Sequence, residues 1–209
     1  NASITLDGSG ATTTLNANIT TEGDAITISD SVIVAAAVAL DTTSVGNLAG
    51  ANVSIVGSVN ATSAVSAESL AVNAGTGGDL AFNAAIGASQ PLDSLTIDAR
   101  NVDFDSTVAV AGAVDIDALG TVTFDNTVSL TNNGTLTVTN TGTATVGGKI
   151  TSEGAVLFDG VGGITLSADI QTTDNVAAIT VNASTLTLTG ARQLQPNNGN
   201  VTLDEILTD

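Results

Sequence analysis

The segment from residue 122 to residue 138 reads VTFDNTVSLTNNGTLTV, and it decides the fold. It holds three short runs in which apolar and polar residues alternate, namely Val122–Phe124, Val128–Leu130 and Leu136–Val138. An alternation with a period of two places one side chain in a core and the next in solvent, as in a β-strand. The turn formers Asn132–Gly134 separate the second run from the third. The segment therefore predicts three short strands joined by tight turns.

The first of these runs recurs along the whole chain. Its two apolar positions have equivalents at steps of 22, 27, 27, 22, 20, 22, 20 and 22 residues. The nine pairs are Ile4/Leu6, Ile26/Ile28, Val53/Ile55, Leu80/Phe82, Val102/Phe104, Val122/Phe124, Ala144/Val146, Ile164/Leu166 and Leu186/Leu188. A period near 22 indicates one small structural unit that is stacked many times.

Stacking of this kind favours one fold class. Hairpins would pair strands within a repeat and leave the repeat length free, whereas pairing each strand with its equivalent one repeat later fixes that length. We therefore predict an all-β fold, a single-stranded parallel β-helix (β-solenoid) of about nine coils with three short strands per coil. Right-handed crossovers are the general rule for parallel strands, so we expect a right-handed coil. At about 4.8 Å per coil, residues 1–209 would form one elongated domain roughly 40 Å long.

The register makes finer predictions. Phe82, Phe104 and Phe124 occupy the same position in successive coils and should stack inside the core. The outward position between the paired apolar residues is filled by Thr5, Thr27, Ser54, Ala81, Asp103, Thr123, Thr145, Thr165 and Thr187. We assign the extra residues of the two 27-residue steps to Asp41–Gly50 and Gly75–Gly78. The segment Ala64–Ala74 fits either a helical turn or a strand.

Composition excludes several functions. Hydrophobic residues make up 43% of the chain but aromatic residues only 2%, so the core must consist of Val, Ile, Leu and Ala. The net charge is −18, and the basic residues are Arg100, Lys149 and Arg192. Nucleic acid needs clustered basic residues, and anionic membranes attract them, so neither is an expected partner. The longest apolar run, Val32–Leu40, is too short to cross a bilayer.

The chain reads as a processed or excised piece of a secreted protein, and we expect an extracellular location. It has no Met, even at position 1, no Cys and no signal segment. The strand pattern already starts within Asn1–Asp7 and is still in register at Val201–Leu203. Uncapped solenoid ends are unpaired edges. We therefore expect the ends to continue into a larger chain or to dock end to end on another copy.

Catalysis is not expected. The chain lacks His, Cys, Tyr and Trp, which leaves paired carboxylates as the remaining chemistry. Two VDxD runs supply the candidates Asp103, Asp105, Asp115 and Asp117. The basic and aromatic residues that usually hold a polysaccharide beside such acids are nearly missing. A polysaccharide-degrading β-helix enzyme is thus the less favoured alternative.

Ligand binding is a second alternative. Asp103, Asp105 and Asp125 fall on adjacent coils of one side and offer oxygens of the kind that Ca²⁺ binds. No EF-hand pattern is present, and hydrated surface acids explain these residues equally well. We expect no cofactor, and Ca²⁺ is the one candidate that the sequence offers. The outward pairs Thr121/Thr123, Thr143/Thr145 and Thr185/Thr187 are like the threonine arrays of ice-binding solenoids, although β-propensity alone also explains them. A glycan is the third ligand class considered.

The repeats from Leu80 to Leu203, such as VTFDN at Val122–Asn126 and GITL at Gly163–Leu166, resemble those of bacterial exoproteins of the filamentous-haemagglutinin type and related repetitive adhesins. The resemblance implies a secreted, rod-forming β-helix on the bacterial cell surface. Such a rod would serve adhesion or matrix building, with cell-surface or matrix contacts. No functional residue is carried over from that family.

Overall fold

The computed structural model describes residues 2–63 and 67–204, and it confirms the predicted all-β parallel solenoid of about nine coils. Each strand pairs in parallel with its equivalent one coil later, and the strands form three faces that run along the axis. The one helical element in the described ranges is a 3-10 turn at Ser44–Gly46. Strands are numbered in chain order. The right-handed sense of the coil stays a prediction.

The first face contains the nine recurring pairs. Its strands are β1 (Ile4–Leu6), β4 (Ile26–Ile28), β7 (Val53–Ile55), β10 (Asp79–Phe82), β12 (Asn101–Phe104), β15 (Val122–Phe124), β18 (Ala144–Val146) and the later parts of β20 (Val156–Leu166) and β22 (Ile179–Leu188). Ile4 pairs with Ile26, and the register continues without a slip to Ile164 and Leu186. All nine pairs deduced from the sequence are confirmed.

The second face is shorter and interrupted. It contains β2 (Thr12–Leu15), β5 (Ser31–Val34), β8 (Val59–Ala61), β13 (Val108–Val110), β16 (Val128–Leu130), β19 (Ile150–Ser152), β21 (Ile170–Thr172) and β23 (Leu194–Gln195). In the fourth coil Ile86 bridges to Val59 on one side and to Val108 on the other. These bridges carry the face across the gap between β8 and β13.

The third face completes each coil. It contains β3 (Ile19–Thr20), β6 (Val38–Asp41), β9 (Ser69–Asn73), β11 (Ser94–Ala99), β14 (Val114–Ala118), β17 (Leu136–Asn140), the early parts of β20 and β22, and β24 (Val201–Leu203). A register shift at Gly160–Gly163 marks where β20 turns from the third face to the first. The confirmed pairing of Val201 with Ile179 keeps the last described strand in register.

The inward side chains of the three faces form one continuous hydrophobic core along the axis. Phe82, Phe104 and Phe124 are each at most 1% exposed, and their rings stack with centroids 5.4 Å and 5.0 Å apart. The predicted aromatic ladder is therefore confirmed. Ser152 is a polar side chain fully buried in the core, and its Oγ donates to the Gly134 carbonyl oxygen at 2.7 Å. A buried hydroxyl needs such a partner to offset its lost hydration.

The two 27-residue steps place their extra residues at the corners of the coil. Residues 42–52, which separate β6 from β7, match the predicted Asp41–Gly50 insertion. The Gly75–Gly78 prediction is right only in part, because the larger extension of the second step is the 62–68 segment between β8 and β9. Within Ala64–Ala74, Ser69–Asn73 form a strand, and residues 64–66 lie outside the described residues.

The corner loop at Gly75–Gly78 stacks on the insertion at residues 42–52. The amide nitrogens of Thr76 and Gly77 donate to the carbonyl oxygens of Leu48 and Ala49, at 3.0 Å and 2.7 Å. Leu48 is 75% exposed at the outer edge of this pair of loops. The long corner loops thus form backbone hydrogen bonds from one coil to the next, as the strands do.

Candidate functional site

The predicted acidic cluster is brought together by the first face. Asp103 points outward from β12, while Asp105 and Asp125 directly follow Phe104 and Phe124 at the corner that leads to the second face. Because Phe104 pairs with Phe124, Asp105 and Asp125 stack in adjacent coils. Each of the three offers a carboxylate oxygen, and these oxygens all lie within 4.8 Å of one another.

Mutual repulsion and partial burial shape the electrostatics of this cluster. Partial burial, with the neighbouring charges of Asp105 and Asp125, raises the pKa of Asp103. Asn83 Nδ2 donates to Asp105 Oδ2 at 2.8 Å, and Asn126 Nδ2 donates to the Asp105 carbonyl oxygen at 2.8 Å. These amides orient Asp105 without neutralising it. A divalent cation would offset two of the three negative charges and would meet carboxylate oxygens, the ligands that Ca²⁺ prefers, on all three residues.

The second VDxD run lies elsewhere. Asp115 and Asp117 are on β14 of the third face, so the structure does not join them to Asp103 and Asp105 on the first face and its corner. Asp115 pairs with Thr96 on one side and Thr137 on the other, and has no carboxylate in either position. The candidate acids of the two runs therefore lie on different faces.

Asp117 has a different partner, which the sequence analysis missed. Asp98 pairs with Asp117 in the adjacent coil. Partial burial, together with the nearby charge of Asp117, raises the pKa of Asp98. The match of Leu95-Thr96-Ile97-Asp98 to Val114-Asp115-Ile116-Asp117 was the available signal. This match is hard to see in the sequence because the step from Leu95 to Val114 is 19 residues, shorter than the average period.

A shallow cleft of about 270 Å³ lies beside this column of acids. Asp117, Thr139 and Asp159 line it together with the half-exposed Leu119. Asn182 Nδ2 donates to Asp159 Oδ1 at 2.8 Å, so that carboxylate is partly engaged. The lining side chains supply carboxylates, hydroxyls and one amide but no Lys or Arg, which suits a ligand that donates hydrogen bonds.

A polar ladder also runs along the first face. Asp79 N donates to Asn52 Oδ1, Asn101 Nδ2 donates to Asp79 Oδ1, and Thr121 N donates to Asn101 Oδ1, at 2.7–2.9 Å. Arg100 adds two bonds to the Asp79 carboxylate, at 2.8 Å and 2.5 Å. These bonds, chiefly that from Arg100, lower the pKa of Asp79. The ladder ties four successive coils together and holds one of the few cations in a structural role.

The threonine pairs also fall in register. Thr123, Thr145, Thr165 and Thr187 form one outward column on the first face. A parallel column contains Thr121, Thr143 and Thr185, and Gly163 interrupts it. The array is regular over four coils, and Asp103 ends the first column.

Comparisons with family models, curated proteins and solved structures gave no match to this chain. Within the part of the chain that the structure describes, no helix is long and apolar enough to cross a bilayer.

Proposed function

We propose that this chain is a length of an extracellular structural rod without catalytic activity. It would serve either as a stalk segment of a bacterial surface exoprotein of the filamentous-haemagglutinin type, or as a subunit of a surface filament. One observation carries the proposal: nine coils keep one parallel register around one unbroken apolar core. Such a core and its continuous hydrogen bonding resist bending and local unfolding, which a stalk needs.

The last described coil supports continuation of the rod by the same pairing. Leu188, Val201 and Leu203 occupy inward register positions, but they are 42%, 40% and 41% exposed. Their equivalents one coil earlier, including Leu166 and Ile179, are fully buried. In our proposal a further coil, from a longer chain or from the first coil of a second copy, covers these side chains.

The filament form is tested by sedimentation and electron microscopy of the purified chain over a range of concentrations. We expect rods longer than one chain for the unmodified protein. Leu203→Lys should shorten them, because it places a charge on the inward side of β24. Thr202→Lys, on the outward side of the same strand, is the matched control and should leave them unchanged. Monomers at every concentration would contradict the filament form and leave the stalk form.

The stalk form is tested by pulling a single chain from its two ends. Parallel solenoid coils should then yield in successive steps at similar forces. Unfolding of the whole chain at negligible force would contradict any load-bearing role.

Calcium binding is the second candidate, because the carboxylate oxygens of Asp103, Asp105 and Asp125 lie close together. Calorimetric titration with Ca²⁺ should give one binding event that Asp105→Asn weakens and Asp115→Asn does not. Absence of heat and of any change in thermal stability would mean that the three acids are simply hydrated.

A further inference from the structure

The chain contains two Asn-Gly dipeptides, and the asparagine of each has a similar φ. Asn133-Gly134 lies in the turn between β16 and β17, and Asn198-Gly199 lies in the turn between β23 and β24. Both asparagines are exposed and have a left-handed φ, 58° at Asn133 and 56° at Asn198. Glycine has no side chain to shield its amide nitrogen, so that nitrogen can reach the preceding asparagine carboxamide.

The two dipeptides differ in their hydrogen bonds. Gly134 N donates to the Thr131 carbonyl oxygen at 2.9 Å. The Gly134 carbonyl oxygen accepts from Gly154 N and from Ser152 Oγ, each at 2.7 Å, and Asn133 N donates to Glu153 Oε2 at 2.9 Å. Four bonds therefore fix the peptide units of Asn133-Gly134 from both sides.

The amide nitrogen of Gly199 is different. Within the described residues it donates to no protein acceptor. The Asn198 side chain is held only through Nδ2, which donates to Asn175 Oδ1 at 2.9 Å. The Gly199 nitrogen and the Asn198 carboxamide carbon that it would attack belong to adjacent residues. Within the described residues, no hydrogen bond from the Gly199 nitrogen competes with this attack.

We propose that Asn198 is a site of spontaneous deamidation and that the fold protects Asn133 from the same reaction. Gly199 N loses its proton to water and attacks Cγ of Asn198, which forms a C–N bond and expels ammonia. Water then opens the resulting succinimide at either carbonyl. The products are an aspartate or an isoaspartate at position 198, and no oxidant or reductant is needed.

The modification would act on the pairing of β24. An isoaspartate adds one methylene to the main chain between β23 and β24. Val201 pairs with Ile179, and Asp204 N donates to the Val181 carbonyl oxygen at 3.0 Å. A longer turn and a new negative charge beside it should loosen these bonds while the coils before β22 stay intact.

The test is timed incubation of the native chain at neutral pH, followed by digestion and mass mapping of both dipeptides. A parallel sample unfolded in urea shows the intrinsic reactivity of each site. In urea we expect comparable rates. In the native chain we expect Asn133 to react about tenfold or more slowly than Asn198, since one retained hydrogen bond to the nucleophile suffices for roughly that factor.

Two variants make the assignment specific. Asn198→Gln should abolish the native reaction because glutamine closes a larger ring far more slowly, whereas Asn133→Gln should leave it unchanged. Amide exchange should show β24 less protected in the aged protein and unchanged in aged Asn198→Gln. Equal native rates at the two sites, a faster reaction at Asn133, or no reaction at Asn198 in either state would overturn the proposal.

Discussion

The ring of Phe104 lies parallel to that of Phe124, with centroids 5.0 Å apart and planes 3° apart. Phe82 continues the stack on the other side at 5.4 Å and 2°. These distances are close to the spacing of paired strands, about 4.8 Å, so the backbone register itself sets the ring separation. The stack lies in a core built mostly from aliphatic side chains, and it makes the central coils sensitive to truncation.

Phe104→Ala should lower the free energy of unfolding by about 3–5 kcal/mol, because it opens a cavity in a fully packed core. Urea unfolding followed by circular dichroism measures this loss. Phe158→Ala is the comparison, since Phe158 is equally buried on the third face and has no described ring partner. Stacking should make the Phe104 variant worse by about 0.5–1.5 kcal/mol. An equal cost at both positions would show that stacking adds nothing to burial.

Gly148→Ala should lower the free energy of unfolding by about 1–3 kcal/mol through overpacking at a corner. A β-carbon at this position would lie 2.1 Å from the carbonyl carbon of Asn126, and neither backbone can move without disturbing the coil stack. At Gly163 the added atom would instead meet Thr185 Oγ1, the end of a side chain that can rotate away. Gly163→Ala should therefore change stability by less than about 0.5 kcal/mol. Similar losses in both variants would argue against a steric origin.

Asp103→Asn should remove the pH-dependent destabilisation that the charge of Asp103 causes in the first face. The pKa of Asp103 is raised by partial burial and by Asp105 and Asp125, so the folded chain binds its proton more tightly than the unfolded chain. Its contribution to stability therefore falls as the pH rises from the ordinary carboxyl range through the raised value. Above that window the variant should be more stable than the parent, by less than about 1 kcal/mol because Asp103 is exposed and screened.

The measurement for this prediction is the urea midpoint of parent and variant at pH 7 and at about pH 4, within the carboxyl range. Asp115→Asn removes the same charge from a position between two threonines. The urea midpoint of this variant relative to the parent should change less between the two pH values. If Asp103→Asn destabilises the chain at pH 7, Asp103 has a favourable partner that the present geometry does not include.

Arg100→Gln should raise the pKa of Asp79. The guanidinium hydrogen bonds are the main cause of the lowered pKa, with a smaller contribution from Asn101. A lowered carboxyl pKa stabilises the fold at neutral pH, and this contribution is lost as the pH falls through the lowered value. In the variant this contribution should be smaller at neutral pH, so the stabilities of parent and variant should approach each other as the pH falls through the lowered value. Carbon-detected NMR titration of the Asp79 carboxyl follows the shift directly.

Lys149→Gln is the control for the Arg100 variant, because Lys149 Nζ donates to Gln171 Oε1 at 2.7 Å, away from Asp79. It removes one positive charge without touching the ladder. An Asp79 titration that moves equally in both variants would indicate a general charge effect.

The sequence was sufficient for the first face because its pattern of two apolar residues around one outward residue recurs in every coil, at steps of 20 to 27 residues. From the second coil to the eighth, each pair of apolar residues is followed by the same short corner, so counting residues gives the correct register. The same count placed Asp103, Asp105 and Asp125 together, since these residues lie in or directly after first-face strands. It failed for Asp98 and Asp117, because the turns that lead to the third face vary in length. Without the register of that face, the two acids are only residues 19 positions apart.

The sequence by itself determined the coil, its period, its inward residues and the aromatic stack. These follow from alternating hydrophobicity and from a repeat that only pairing between successive coils can maintain. Only the tertiary structure decided which polar groups meet across the corners, including the Arg100–Asp79 bonds and the stacked insertion loops. It also decided which of the two Asn-Gly turns has a glycine amide that donates to another described residue. Hydrogen bonds between coils depend on turn lengths and side-chain directions to within about 1 Å, and no repeat pattern specifies these.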